Sequence, residues 1–231
     1  MEKLIYLSWK RDGLTIDAYR KHLLEEVSPR ILAAGACALN VSVADTQQAI
    51  PKPTLLMGEG ATLSAAVAVW MRSLDDRGPV EEALREQAIR LDGYLVTESV
   101  PQPCLDRDWA DGTLSPGVTH FTWFPKPERL SDEAFYHGWH VIHTPASAAL
   151  HPLRWEYVRN AVARVLTPGS PPIRAIVAER FRDVLDYTDP ARLYGSPEAL
   201  KRTVEELPLY GDMEAMHSTP LSEVIVKSLG H

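Results

Sequence analysis

Residues 4–32 and 120–148 of this chain of 231 residues run alongside each other at a constant offset of 116. Leu14 meets Leu130, Thr15 meets Ser131, Ala18 meets Ala134, Tyr19 meets Phe135 and Pro29 meets Pro145. A repeat of this length limits the possible folds more than any composition can, because each copy must form the same unit and the two units must share a core. Further on, residues 68–74 align with 178–184 at an offset of 110, with Ala68 on Ala178 and Arg72 on Arg182. The change of offset predicts a longer connection in the first copy. Residues 47–60, with two prolines and two glycines, are the expected insertion. In the last apolar runs Glu98 and Glu223 correspond.

Both copies read in the same element order. Residues 3–9 and 118–124 are short runs of β-branched and aromatic residues, hence strands. Thr15 and Ser131 are N-cap candidates, and Asp17 and Glu133 suit the positive end of the helix dipole. Helices are expected over 16–34 and 132–149, with Pro145 kinking or ending the second. Strands follow at 36–44 and 65–72, and at 153–165 and 173–181. A second helix is expected at 80–91 and at 197–207, and a closing strand at 94–100 and 221–226. The order is βαββαβ twice, the ferredoxin-like plan. The expected organisation is a first repeat over 1–100, a linker over 101–117 rich in proline, glycine and aspartate, and a second repeat over 118–231. Each four-stranded sheet has helices on one face only, so its other face needs a partner. The fold class is therefore α+β, with two tandem repeats forming an α/β barrel of antiparallel sheets within one chain. The natural ligand cavity is the space enclosed between the sheets.

A formal net charge of −7 opposes generic phosphate-backbone binding, so no nucleic-acid partner is expected. Two cysteines, Cys37 and Cys104, cannot build a disulfide framework and have no setting that marks a nucleophile, which suits a reducing cytoplasm. The N-terminus is neither a signal nor a transit peptide, and no run approaches the ~20 apolar residues a membrane span needs. The sequon at Asn40 would go unused in a cytoplasmic chain. P-loop, Rossmann and nucleophile-elbow motifs are missing, and no cofactor is expected.

The stretches at 130–148, 154–162, 178–181 and 222–224 of the second copy resemble EthD-like members of the dimeric α/β-barrel superfamily: a strand, a polar turn, then a helix with an aromatic, a tryptophan and an HxP-type end. The first copy keeps the frame but not these letters. Leu23 stands for Trp139, Val27 for His143 and Val69 for Glu179. The resemblance implies a fold shared by cofactor-free monooxygenases, cyclases, isomerases and lyases acting on apolar or aromatic metabolites, and it puts the site in the second copy. Fold alone does not fix the chemistry.

Four of the eight histidines, His137, His140, His143 and His151, fall within fifteen residues. Phe135, Trp139 and His143 share one helical face. That face should meet the sheet, which would bring His143 to the helix end near the barrel mouth, where imidazole could serve as acid or base. The same histidine could instead serve the helix end structurally. No carboxylate or thiol accompanies the histidines at a ligand spacing, so no metal site is expected. Trp139 and Trp155 could line an aromatic pocket or be plain core. Tyr157 and Asn160, three apart on a strand, face opposite sides. If Tyr157 points into the barrel with Arg159, the two make a polar patch for a phenolate or carboxylate. Glu179 and Arg180 alternate in the same way, and Glu98 and Glu223 could be buried partners of arginines.

The expected catalytic residues are thus His143 and Tyr157, and the expected substrate-binding residues Trp139, His140, Trp155, Arg159, Asn160 and Glu179. The expected partner is a small hydrophobic or aromatic metabolite, turned over without a cofactor or held for another enzyme. Homodimerisation through the outer surface stays open.

Overall fold

Eight antiparallel strands close into one barrel in the order β1-β3-β2-β8-β5-β7-β6-β4. The computed structural model describes residues 1–44 and 63–230; the expected insertion at 47–60 lies outside them. The strands are β1 (Glu2–Lys10), β2 (Ala38–Val43), β3 (Ala65–Met71), β4 (Ala88–Gln102), β5 (Val118–Phe124), β6 (Arg154–Val165), β7 (Ala175–Phe181) and β8 (His217–Lys227). Read as two halves, the strands run β4-β1-β3-β2 and β8-β5-β7-β6. The halves join through β2–β8, from Leu39↔Lys227 to Val43↔Ser222, and through β4–β6, from Tyr94↔Val165 to Gln102↔Tyr157. Closure removes all sheet edges.

β1 is covered on both faces, so it is buried from Lys3 to Trp9. One face of every strand fills the barrel: Ile5, Leu7, Tyr94, Phe121, Val162, Ile176 and Leu221 form one cluster. The other face meets helices. In the first half Leu4, Tyr6, Val67 and Val69 pack on Tyr19, Leu23, Val27 and Ile31. In the second half Phe124, Tyr157 and Val177 pack on Phe135 and Trp139.

The repeated helix shows the duplication most sharply. In each half it runs as α-helix, π-turn and α-helix: α1 (Ile16–His22), Leu23–Val27 and α2 (Ser28–Ala33), then α4 (Asp132–Tyr136), His137–His143 and α5 (Thr144–Leu150). Thr15 and Ser131 cap the starts, their hydroxyls each accepting from an amide 3.1 Å away, at Ala18 and Ala134. Pro145 does not end the helix, which continues through it to Leu150. After each π-turn a hydroxyl residue bonds the carbonyl five residues earlier with both backbone and side chain: the Thr144 N–H and Oγ1 (2.8 Å) donate to Trp139, as the Ser28 N–H and Oγ (2.7 Å) donate to Leu23.

Other boundaries moved. Helix α3 (Gly78–Arg85) is shorter than expected and β4 longer, because Ala88, Arg90 and Leu91 pair with Lys10, Trp9 and Ser8; sheet pairing overrides local helix propensity there. β4 also takes residues 101–102 from the expected linker. Two short helices precede α8 (Pro197–Glu206): α6 (Val184–Thr188) and α7 (Pro190–Tyr194), capped by Asp183 and Asp189. Among the described residues no helix is long and apolar enough to cross a membrane.

Candidate active site

The helix-facing side of β5, β6 and β7 forms the floor of a cavity of about 100 Å³ in the second half. His120 and Phe124 come from β5, Tyr157 from β6, and Val177 and Glu179 from β7; Trp139 and His143 of the π-turn, with Tyr194, Leu207 and Tyr210, close it from above. Val204, exposed on α8, stands at the rim. The cavity therefore lies between sheet and helices, not between the sheets as expected. Strand parity is the reason: Tyr157, Glu179 and His120 lie side by side in register and share the outer face.

Phe135, Trp139 and His143 do share one buried face. His143 sits in mid-helix rather than at a helix end, because the chain continues helically to Leu150. Its Nδ1 is 3.4 Å from Glu206 Oε2 and its Nε2 is 3.4 Å from the Tyr210 hydroxyl. Burial holds the Tyr210 phenol well above its usual range, with Tyr157 and Glu179 adding to the shift, so Tyr210 is a neutral donor. It donates to Nε2, and Nδ1–H in turn donates to Glu206, which Arg202 Nε anchors at 2.7 Å. Burial also pushes the His143 imidazole below its usual value, against the opposing pull of Glu179 and Glu206. The ring is neutral near pH 7 and can take a proton.

The floor carries a fixed charge. Burial disfavours the Glu179 carboxylate, but a hydrogen bond from His120 and the charge of Arg154 outweigh it and hold Glu179 well below the usual range. Arg154 Nη1 donates to Glu179 at 2.6 Å and its Nη2 to Ser147 of α5 at 3.1 Å, while its guanidinium lies 4.2 Å from the Tyr157 ring centroid. His120 Nδ1 is 3.5 Å from the same carboxylate. Tyr157 is fully buried; burial and then Glu179 raise its phenol, and it accepts from Trp139 Nε1 at 3.4 Å. His151 donates from Nδ1 to the Leu193 carbonyl at 3.1 Å and is held neutral by burial. Burial lifts Tyr194 to about 12.

The expected site residues thus divide. His143, Tyr157, Trp139 and Glu179 meet in the cavity. His140 does not line it; its ring is set between Tyr136 and Trp139, and burial followed by the charge of Arg159 lowers it to about 4. Arg159 shares the face of Tyr157 but bonds Ser99 and Thr144 instead, so both point away from the barrel interior and no Tyr157–Arg159 patch forms inside it. Asn160 points into the barrel, its amide donating to the Ile176 carbonyl at 3.2 Å. Trp155 lies at the barrel end against Trp109 and Arg182, its Nε1 on Asp106 at 2.6 Å. The register shift between Arg154 and Glu156 is responsible: the bulge sends Arg154 to the helix side with Tyr157 and Trp155 to the other.

Sequence reasoning missed Glu206, Tyr210, Arg154 and His120. A signal existed for two of them: Ala199, Thr203, Glu206 and Tyr210 fall on one helical stripe, where a carboxylate would otherwise be out of place. In the first half the positions of Trp139, His143 and Glu179 hold Leu23, Val27 and Val69, all buried in an aliphatic cluster.

The sequence matches no family model and no curated protein. Its fold matches solved dimeric α/β-barrel structures. An anthrone oxidase-like protein aligns at TM-score 0.58 and 13% identity over 99% of this chain and 94% of its own. A protein assigned as a monooxygenase from Lactobacillus acidophilus aligns at TM-score 0.52 and 9% identity, covering 98% and 96%. The chlorite dismutase of Candidatus Nitrospira defluvii aligns at TM-score 0.50 and 12% identity, covering 97% and 92%. At these identities the likeness concerns the fold.

Proposed function

We propose that this chain is an EthD-like, cofactor-free enzyme that binds a small apolar or aromatic metabolite in the helix-side cavity of its second half and moves protons on it through His143. The observation that carries the reading is the buried, neutral His143, with Glu206 on one ring nitrogen and the Tyr210 hydroxyl on the other. Glu206 fixes the tautomer and steadies the imidazolium formed when Nε2 takes a proton; the arrangement is that of an oriented general base. Tyr157 is a neutral phenol able to donate to a substrate oxygen; Tyr210 can do so once its hydroxyl turns away from Nε2, which also frees that nitrogen to take a proton. Phe124, Trp139 and Leu207 offer aromatic and apolar contact. The permanently charged Glu179 on the floor disfavours anionic substrates. Proton transfer of this kind serves lyases, isomerases and cyclases, and also oxygenases that react through a substrate carbanion. The two thiols are free, in keeping with a cytoplasmic location.

The test begins with mass spectrometry of molecules that co-purify with the full chain. Turnover of the compound found is then compared between the native protein and His143→Ala. A loss of 10²-fold or more is expected, with the fold retained by circular dichroism; unchanged turnover would sink the reading. One observation favours a second reading, that of a non-catalytic carrier: both nitrogens of His143 are already engaged. In that case the compound binds one to one and is returned unchanged after long incubation.

A further inference from the structure

The parity that sends Tyr157 and Glu179 to the helices sends their neighbours into the barrel. At one end of its interior Lys3 and Glu98 of the first half meet Glu156, Asn160, Arg180 and Glu223 of the second, around a chamber of about 170 Å³. Deeper walls are apolar, with Ile5, Phe121 and Val158. The chamber is separate from the His143 cavity: the barrel wall stands between them.

The charges in it are matched to one another. Lys3 Nζ lies 2.5 Å from Glu98 Oε1, and Arg180 Nη1 lies 3.0 Å from Glu223 Oε1 and 3.5 Å from Glu156 Oε2. This pairing follows the duplication. Each half gives a glutamate from its last strand, Glu98 or Glu223, while the cation comes from the first strand in one half and the third in the other. Burial pushes the surplus carboxyl, Glu156, up and lowers Lys3, each towards its neutral form. Each of the two cations and three carboxyl groups is already engaged with a partner of opposite sign. An added anion would face three carboxyl groups, and an added cation would face Lys3 and the Arg180 guanidinium.

Two hydrogen-bonding atoms remain open. Arg180 Nη2 and Asn160 Oδ1 have no partner among the described residues, although Arg180 is 4% and Asn160 2% exposed. The Asn160 amide nitrogen is fixed on the Ile176 carbonyl, so its oxygen is committed to the interior. Buried polar atoms are normally satisfied, and this chamber far exceeds the roughly 10–15 Å³ that one water needs.

We infer that the barrel interior holds a second small-molecule site, for an uncharged ligand that offers an acceptor to Arg180 and a donor to Asn160 on a short apolar body, the chemistry of a primary carboxamide. It draws on residues of both halves, and neither half forms it alone.

Three probes of one shape test it by calorimetry on the full chain: benzamide, benzoate and benzylamine. Benzamide is expected to bind once per chain and at least tenfold more tightly than either charged analogue. Asn160→Leu, which keeps the volume and removes the acceptor, and Arg180→Met, which removes the donor, should each weaken benzamide at least tenfold. His143→Ala should leave it unchanged. Equal or tighter binding of a charged analogue overturns the inference. So does benzamide binding that survives Asn160→Leu, binding lost with His143→Ala, or no saturable heat from any probe. Should Arg180→Met fail to fold, Asn160→Leu and the three-probe ranking on the native chain still decide it.

Discussion

Nδ1 of His143 lies 3.4 Å from Oε2 of Glu206, a residue 63 positions further along the chain. Burial lowers the imidazole and the Glu206 carboxylate partly opposes that. Removing the charge leaves burial less opposed, so Glu206→Gln should move His143 to a still lower titration point. NMR titration of the His143 ring in both proteins checks this without any substrate. A shift to higher pH, or none, would show that Glu206 does not govern the ring.

Gly138 places a second demand on the contacts of His143. A Cβ there would stand 2.2 Å from the Leu209 carbonyl oxygen and 2.8 Å from its carbon. These are backbone atoms of the turn that links Glu206 to Tyr210, so that turn would have to move. Gly138→Ala should cost about 1–3 kcal/mol, as overpacking does, and should separate Tyr210 from His143. Urea denaturation reads the first effect and the His143 chemical shifts the second. The aligned first-half residue is His22, so only the second half has been shaped to admit this turn.

The legible parts of the chain were those written locally. Thr15 and Ser131 cap through an amide three residues on, and Tyr19 and Phe135 are buried through helical spacing, so the repeat could be read directly from letters. The side of the sheet chosen by Tyr157 could not. It depends on the bulge between Arg154 and Glu156 and on which face the helices cover, and both are decided by pairing with β7. Glu206 and Tyr210 reach His143 across more than sixty residues, and no local pattern encodes that meeting. A space between the two halves of the sheet does exist, but it is lined by Asn160 and Arg180, while the histidine lies behind the wall.

Acid should destabilise the fold in a defined window. His140, His143 and His151 all sit below the usual 6.5 in the folded chain, burial being the first cause for each, with His140 lowered to about 4. In the unfolded chain they titrate near 6.5. Between that pH and their folded values the unfolded state binds more protons, so stability is complete above about 6.5 and falls as pH drops. Glu179, also lowered, acts in the same direction but only below the unfolded carboxylate range near 4.3. The urea midpoint should therefore fall from pH 7 to pH 5, and His140→Phe, which keeps the ring stack on Tyr136 and Trp139, should make that fall shallower. A midpoint independent of pH over this range would contradict the neutral histidines.

Arg154 and Glu179 allow a sharper energetic test, because both are withdrawn from solvent and 2.6 Å apart. Arg154 is 4% exposed and binds Ser147 and Gln102 as well as the carboxylate. Arg154→Met leaves Glu179 charged in a buried site with His120 and His151 near it but no arginine, and breaking a buried pair in this way costs about 3–5 kcal/mol. Glu179→Gln removes the charge that needed the partner. If the pair is coupled as the geometry states, the double variant Arg154→Met/Glu179→Gln should be less destabilised than the sum of the singles, with a coupling of about 0.5–3 kcal/mol in urea unfolding. Strict additivity would mean that Arg154 acts through Ser147 and Gln102, tying α5 to the end of β4, and that the cavity floor keeps its carboxylate by other means.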